Sequence, residues 1–206
     1  MRDLLVATTN KGKLAEFAEL LGGGAFRVRS AAEVLVPVPT VIEDGQTFAA
    51  NALKKARTIA RESMCLTLAD DSGLEVDALG GAPGVYSARF AGEGAADAAN
   101  RAELVRRLRG LGSGGARFPA RFRCALCVVD PLAPAGADVI EADGTCEGSI
   151  LLEERGAGGF GYDALFVPEG FDRTFAELPS AEKHALSHRG RALAALGPRL
   201  LERVRP

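Results

Sequence analysis

The sequence predicts an α/β domain built on a mixed sheet, and three observations lead there. Strand-like and helix-like patterns alternate through the N-terminal half. Two long runs of alternating residues, near 117–130 and 138–152, flank the turn "PLAPAGAD" as a hairpin would. A helical segment closes the chain. The hairpin favours a mixed sheet over a purely parallel one. With 206 residues, there is enough chain for one well-buried core, of one lobe or two, and a single domain over 1–206 is expected.

Taken in order, "DLLVAT" at 3–8 reads as a short buried strand. "NKGKLAEFAELLGGG" comes next, with Leu14, Phe17, Ala18 and Leu21 at helical spacing before three glycines. A strand near Phe26–Val28 leads to a loop holding Pro37 and Pro39. In the helix after it, Thr47 is the expected N-cap and Ala49, Ala52, Leu53, Ala56 and Ile59 or Ala60 form the inward face. A strand at 66–69 then meets the acidic pair Asp70-Asp71, read as a turn, and a second short strand covers Leu74–Val76. The next helix lies near 97–110, with Asp97 as its cap and Leu104, Val105, Leu108 and Leu111 inward. After a glycine tract at 110–115, a candidate hinge, comes the hairpin. The chain ends with "SAEKHALSHRGRALAALGPRLLERV", where Pro198 is expected to kink or restart the helix.

Composition excludes some function classes. Apolar residues make up 47%, charged residues 25%, and the net charge is −2, so nothing draws the whole chain to nucleic acid or to a membrane surface. "MRDLLVATTN" lacks the hydrophobic stretch of a signal peptide, no apolar run reaches membrane-spanning length, and a cytoplasmic location is expected. The four cysteines are too few for a disulfide framework. Cys124 and Cys127 fall on one strand pattern at odd separation, which sends their thiols to opposite faces and disfavours a zinc site.

Several clusters bear chemistry. "TTNKGK" at 8–13 sets hydroxyls, an amide and two lysines between strand and helix, which suits either an anion site or a solvated turn capped by Asn10. "GAGGFG" at 156–161 has dinucleotide-loop spacing, but "YDALFVPEG" follows it, where Leu165, Phe166 and Val167 resemble a strand and not the helix such a loop should open. A backbone approach to a ligand, with Phe160 and Tyr162 able to stack on a ring, competes with a tight turn beside two core aromatics. His184 and His188 stand four apart with no third metal ligand in sight. Their neighbours Lys183, Ser187 and Arg189 add donors suited to phosphate or to keto oxygens on a base. Glu43 with Asp70 and Asp71 would supply the few carboxylates that a phosphate-bound Mg²⁺ needs, or, taken singly, Glu43 and Asp44 would only favour a helix dipole. Asn51 and Lys55, four apart on the helix, are placed to reach the same point.

Five segments in register, "VATTNKGKLAEF", "TFAANALKKA", "ADDSGLEVDALGGAPGVYSARF", "GGFGYDALFVPEG" and "EKHALSHRGRAL", together resemble the inosine/xanthosine triphosphate pyrophosphatase family from residue 6 to about 193. The resemblance implies a two-lobed α/β domain around a nucleotide cleft, a homodimer, and Mg²⁺-dependent hydrolysis of ITP, dITP and XTP to the monophosphate and pyrophosphate. Thr8, Thr9, Asn10, Lys11, Gly12 and Lys13 resemble the family's triphosphate-binding turn, and Lys55 falls on a phosphate-contacting lysine. Asp71 matches the carboxylate that serves as metal ligand and proton acceptor, with Ser72 beside the substrate. Phe160, Gly161, Tyr162, Asp163, Lys183, Ser187, His188 and Arg189 match the base-recognition set. Two departures stand out. Thr9 replaces a glycine common in the turn, and Ile42-Glu43-Asp44 leaves either acid as the second metal carboxylate, with Glu43 falling nearer the family position. A Maf-like pyrophosphatase of other specificity, against which "SHRG" and "GGFGYD" speak, and a silent nucleotide-binding protein are the rival readings.

Overall fold

The strand expected to stop before the paired acids runs straight through them. In the computed structural model, which describes residues 2–21, 26–112 and 117–202, β3 spans Thr67–Val76 without interruption. The acidic turn expected from the sequence is therefore strand. Its tolerance comes from the pleat, because consecutive side chains on a strand leave opposite faces. Each acid then has its own partner: Lys13 Nζ lies 2.8 Å from Asp70 Oδ2, and Asn51 Nδ2 donates to Asp71 Oδ2 at 2.9 Å.

Ahead of β3 come β1 (Arg2–Val6), α1 (Lys11–Leu21), β2 (Phe26–Ser30) and α2 (Phe48–Ser63). After it come α3 (Asp97–Gly110), β4 (Arg117–Val129), β5 (Val139–Leu151), β6 (Phe166–Pro168), α4 (Ser180–Leu186) and α5 (His188–Glu202). The strands form one six-stranded sheet in the order β2-β1-β3-β4-β5-β6. β1 is parallel to β2 and β3, whereas β5 and β6 are antiparallel. The sheet is mixed, as the hairpin pattern predicts.

Two compact units divide the chain. The first comprises Met1–Asp71, Cys124–Gly144 and Gly190–Pro206, and its core joins Leu4, Val6, Phe17, Leu68, Leu126 and Leu196. The second comprises Ser72–Arg123 and Thr145–Arg189, with Leu74, Leu104, Phe122, Phe166 and Phe175 at the centre of its own core.

Local chemistry explains the ends of α1 and α2 that carry caps. Asn10 caps α1, its Oδ1 accepting from Lys13 N at 3.0 Å. Thr47 caps α2, its Oγ1 accepting from Ala50 N at 3.2 Å, and Met64 closes that helix in the left-handed region at φ 53°. The inward face of α2 carries Phe48, Ala52, Ala56, Ile59 and Ala60, while Ala49 is exposed. On α1, Ala18 is likewise exposed and Glu16 buried.

Other expectations are corrected. Asp97 is not a cap, because Ala96 holds that position and the Asp97 carboxylate bonds elsewhere. Leu111 lies past the end of α3 and is 48% exposed. The C-terminal helix breaks at Ser187, whose extended backbone (ψ 154°) separates α4 from α5, rather than at Pro198, which lies within α5. Pro198 and Ala194 are both exposed, so water can solvate the carbonyl that the proline leaves unbonded. That break also removes the one-helix spacing that would set His184 and His188 on a common face. The helix-ending glycines at 22–24 and residues 113–115 of the hinge tract lie outside the described residues. No helix among the described residues is long and apolar enough to cross a membrane.

Candidate active site

Side chains from three elements meet in the first unit. Asp71 arrives on β3 and is buried at 7% exposure. From α2, Asn51 reaches it at 2.9 Å and Lys55 Nζ lies 3.9 Å from its Oδ1. Lys55 also donates to Glu43 Oε2 at 2.9 Å, so one ammonium bridges two carboxylates. Asn51 continues the chain of contacts to the loop before α2, its Oδ1 accepting from Gly45 N at 2.8 Å. A Cβ at position 45 would approach that oxygen to 2.5 Å, so glycine is what allows the loop to close on Asn51. Of the two acids in the loop, Glu43 joins this cluster and Asp44 instead pairs with Lys54 at 2.7 Å in an exposed position.

Burial and charge oppose each other here. Burial pushes the Asp71 carboxyl above its ordinary range, against the pull of Lys55, Lys13 and the Asn51 amide. For Lys55, burial works against the charge, yet Asp70, Asp71 and Glu43 together hold the ammonium above the usual lysine range. Both shifts describe a place where negative charge collects and a cation is required. An all-oxygen pair, Glu43 and Asp71, suits a small hard cation that takes its remaining ligands from phosphate and water. Such an ion needs no third protein ligand, and no group of three or more His, Cys, Asp or Glu is placed to hold a metal among the described residues.

The 8–13 segment also belongs to this unit. Thr8 Oγ1 accepts from Asn10 N at 3.2 Å, and Asn10 then caps α1. Thr9, Asn10 and Lys11 are exposed, with Gly12 and Lys13 half-buried. Thr9 fits where a glycine is common, because Met64 is the sole non-glycine in the left-handed region among the described residues.

A second cluster forms within the other unit around Phe160. Lys183 Nζ lies 5.1 Å from the centre of its ring and Arg189 Cζ 5.4 Å, both within cation–π range. Asp163 Oδ2 accepts from Lys183 Nζ at 2.8 Å and from Phe160 N at 2.9 Å, tying the cation to the loop. Arg189 donates to Ser72 Oγ at 3.1 Å. His188 stacks on Phe122, centres 4.8 Å apart and planes 13° from parallel. Ser187 and His188, at 1% and 4% exposure, sit at the α4–α5 break, which is what turns the "SHR" segment toward Phe122 and Ser72. Tyr162 is placed in the core rather than as a stacking face: it is 4% exposed and its hydroxyl donates to Ser87 O at 2.8 Å. The glycine loop thus sets Phe160 beside two cations and gives Tyr162 to the core.

A family model described as the Ham1 family matches residues 4–199. The chain belongs to the Ham1 family. A relative from Desulforamulus reducens named dITP/XTP pyrophosphatase is 50% identical over 190 residues, covering 92% of this chain and 91% of its own. One of the same name from Desulfotalea psychrophila is 48% identical, covering 94% and 82%. Among solved structures, a HAM1 protein from Coxiella burnetii superposes with a TM-score of 0.84 at 39% identity, over 98% of this chain and all of that one. The mixed sheet and its helices are accordingly the architecture of this Ham1 family member.

Proposed function

We propose that this chain is a nucleoside-triphosphate pyrophosphatase that cleaves ITP, dITP and XTP to the monophosphate and pyrophosphate, with Mg²⁺ as its cofactor. The observation that carries the reading is the Glu43–Lys55–Asp71 cluster, in which two carboxylates already converge on a cation at 2.9 and 3.9 Å. The names borne by the relatives support the choice of substrate.

Glu43 and Asp71 would hold the ion. When bound, Mg²⁺ supplies Lewis-acid neutralisation of phosphate charge as the α-phosphorus is attacked. Lys55, with Lys13 and Lys11 at the start of α1, sets further positive charge against the triphosphate, while Thr8, Thr9, Asn10 and Gly12 present hydroxyls, an amide and backbone N–H groups to it. Asp71 orients the attacking water and takes its proton. Asn51 holds the Asp71 oxygen in place. Base recognition falls to the Phe160 cluster. Phe160 stacks on the purine, while Lys183, His188 and Arg189 present donors to keto oxygens, with Ser72, Gly161, Tyr162, Asp163 and Ser187 shaping that set. Donors aimed at a 6-keto oxygen reject adenine, whose amino group would leave them desolvated and unpaired.

The same reading takes the whole chain as one enzyme domain, cytoplasmic and homodimeric. The test of function is pyrophosphate release from ITP, XTP, ATP, GTP and dTTP with and without Mg²⁺. Preference for dTTP would favour a Maf-like specificity, and binding without turnover a silent nucleotide-binding protein.

A further inference from the structure

Gly161 is held at both of its backbone polar groups by one face of α3. Asp97 Oδ2 accepts from Gly161 N at 2.7 Å, and Arg101 Nη1 donates to Gly161 O at 2.9 Å. Residues four apart on a helix share a face, so a single turn of α3 forms a two-pronged clamp. Arg101 is braced in turn, its Nε lying 2.9 Å from Glu154 Oε1. Gly161 adopts φ 59°, a conformation that favours glycine, and the clamp holds it there. With Phe160 N bonded to Asp163, the backbone is fixed immediately before and after the Phe160 side chain.

We propose that Asp97 and Arg101 are positioning residues that set the Phe160 ring for purine stacking, and so help to determine which bases the enzyme accepts. Neither touches the substrate in this scheme. They act through the two peptides that flank Gly161, Asp97 on the one shared with Phe160 and Arg101 on the one shared with Tyr162. The inference rests on the base-binding role given above to the Phe160 cluster. It adds that the ring works only at the orientation that α3 imposes.

Because stacking holds substrate and transition state alike, loosening the ring should raise KM and leave kcat nearly intact. Asp97→Ala should raise KM for ITP about fivefold or more with kcat within twofold. Asp97→Asn, which keeps an oxygen to accept from Gly161 N, should restore most of the loss. Arg101→Met tests the second prong independently should the alanine variant fold poorly. A double-mutant cycle with Phe160→Ala gives the sharpest separation. If the clamp acts through the ring, Asp97→Ala adds nothing further to KM once the ring is gone, whereas a general structural role would add its full penalty in either background. Calorimetric binding of IMP keeps the two claims apart. Wild-type binding without turnover would overturn the catalytic reading, and an unchanged affinity in both Asp97→Ala and Arg101→Met would overturn the clamp. Loss of the Asp97 effect only in the Phe160→Ala background is the supporting result.

Discussion

Asn51 donates to Asp71 Oδ2 at 2.9 Å while its own carbonyl oxygen receives the Gly45 N–H at 2.8 Å, so one buried amide ties β3 to the loop that carries Glu43. Hydrogen bonds to charged groups contribute about 1.5–3 kcal/mol, more than bonds between neutral groups. Asn51→Leu should therefore lower kcat roughly 10- to 100-fold. Asn51→Asp should do worse, since it replaces the donor with a second carboxylate facing Asp71. Steady-state pyrophosphate release checks both, and an unchanged kcat in the leucine variant would remove Asn51 from the site.

Glu43 and Asp44 are neighbours in sequence with different surroundings, the first paired to Lys55 and the second to exposed Lys54. Glu43→Gln should raise the Mg²⁺ concentration for half-maximal activity about tenfold or more, within the range of a lost ligand or its support. Asp44→Asn should move it less than about twofold, because an exposed ion pair contributes at most about 1 kcal/mol. The reverse order would reassign the second carboxylate.

Asp71 carries a stability cost at neutral pH. Its carboxyl is raised by burial, so the folded metal-free protein binds a proton there more readily than the unfolded chain. Stability therefore falls as pH rises from the ordinary carboxyl range through the raised value, and the ionised group remains a cost at neutral pH. Asp71→Asn, a neutral isostere that still accepts from Asn51, should leave the Tm of the metal-free protein equal or higher at pH 7.5 while lowering kcat more than about 100-fold, some 2.7 kcal/mol of barrier. Thermal melts across pH, with activity on the same samples, check both. A kcat within about threefold of wild type would end the catalytic assignment.

The four cysteines are thiols that differ in access. Cys124, Cys127 and Cys146 are buried and Cys65 is partly exposed, and burial pushes the Cys127 thiol up to about 12. Since the thiolate is the reactive form, iodoacetamide at pH 8 should modify Cys65 first, and the other three only when denaturant opens the fold. Mass spectrometry after timed quenching reads the order.

What the sequence discloses about this fold is local. Thr47, Asn10 and the "PLAPAGAD" turn are legible because a cap or a turn is decided by atoms a few residues away. Asp70 and Asp71 mislead because the partners that let them sit within a strand, Lys13 and Asn51, come from α1 and α2. The break at Ser187 has no proline or glycine to mark it, whereas Pro198, which does look like a break, rests on an exposed face and leaves α5 continuous. Apart from Glu43, the candidate site residues lie within the five segments in register, and most fall into one of two clusters, around Asp71 or around Phe160. Tyr162 does not present its ring as a stacking face, because its hydroxyl finds Ser87 O within the core. Asp97 and Arg101 carry no motif, since they bond backbone atoms of Gly161 and not a side chain.

Whether this Ham1 family member is a pyrophosphatase of non-canonical purine nucleotides is decided by wild-type pyrophosphate release across ITP, XTP, ATP, GTP and dTTP, each with and without Mg²⁺. The expected result is Mg²⁺-dependent turnover of ITP and XTP, with kcat/KM at least roughly 100-fold above that for ATP. No release from ITP or XTP in the presence of Mg²⁺ would contradict it.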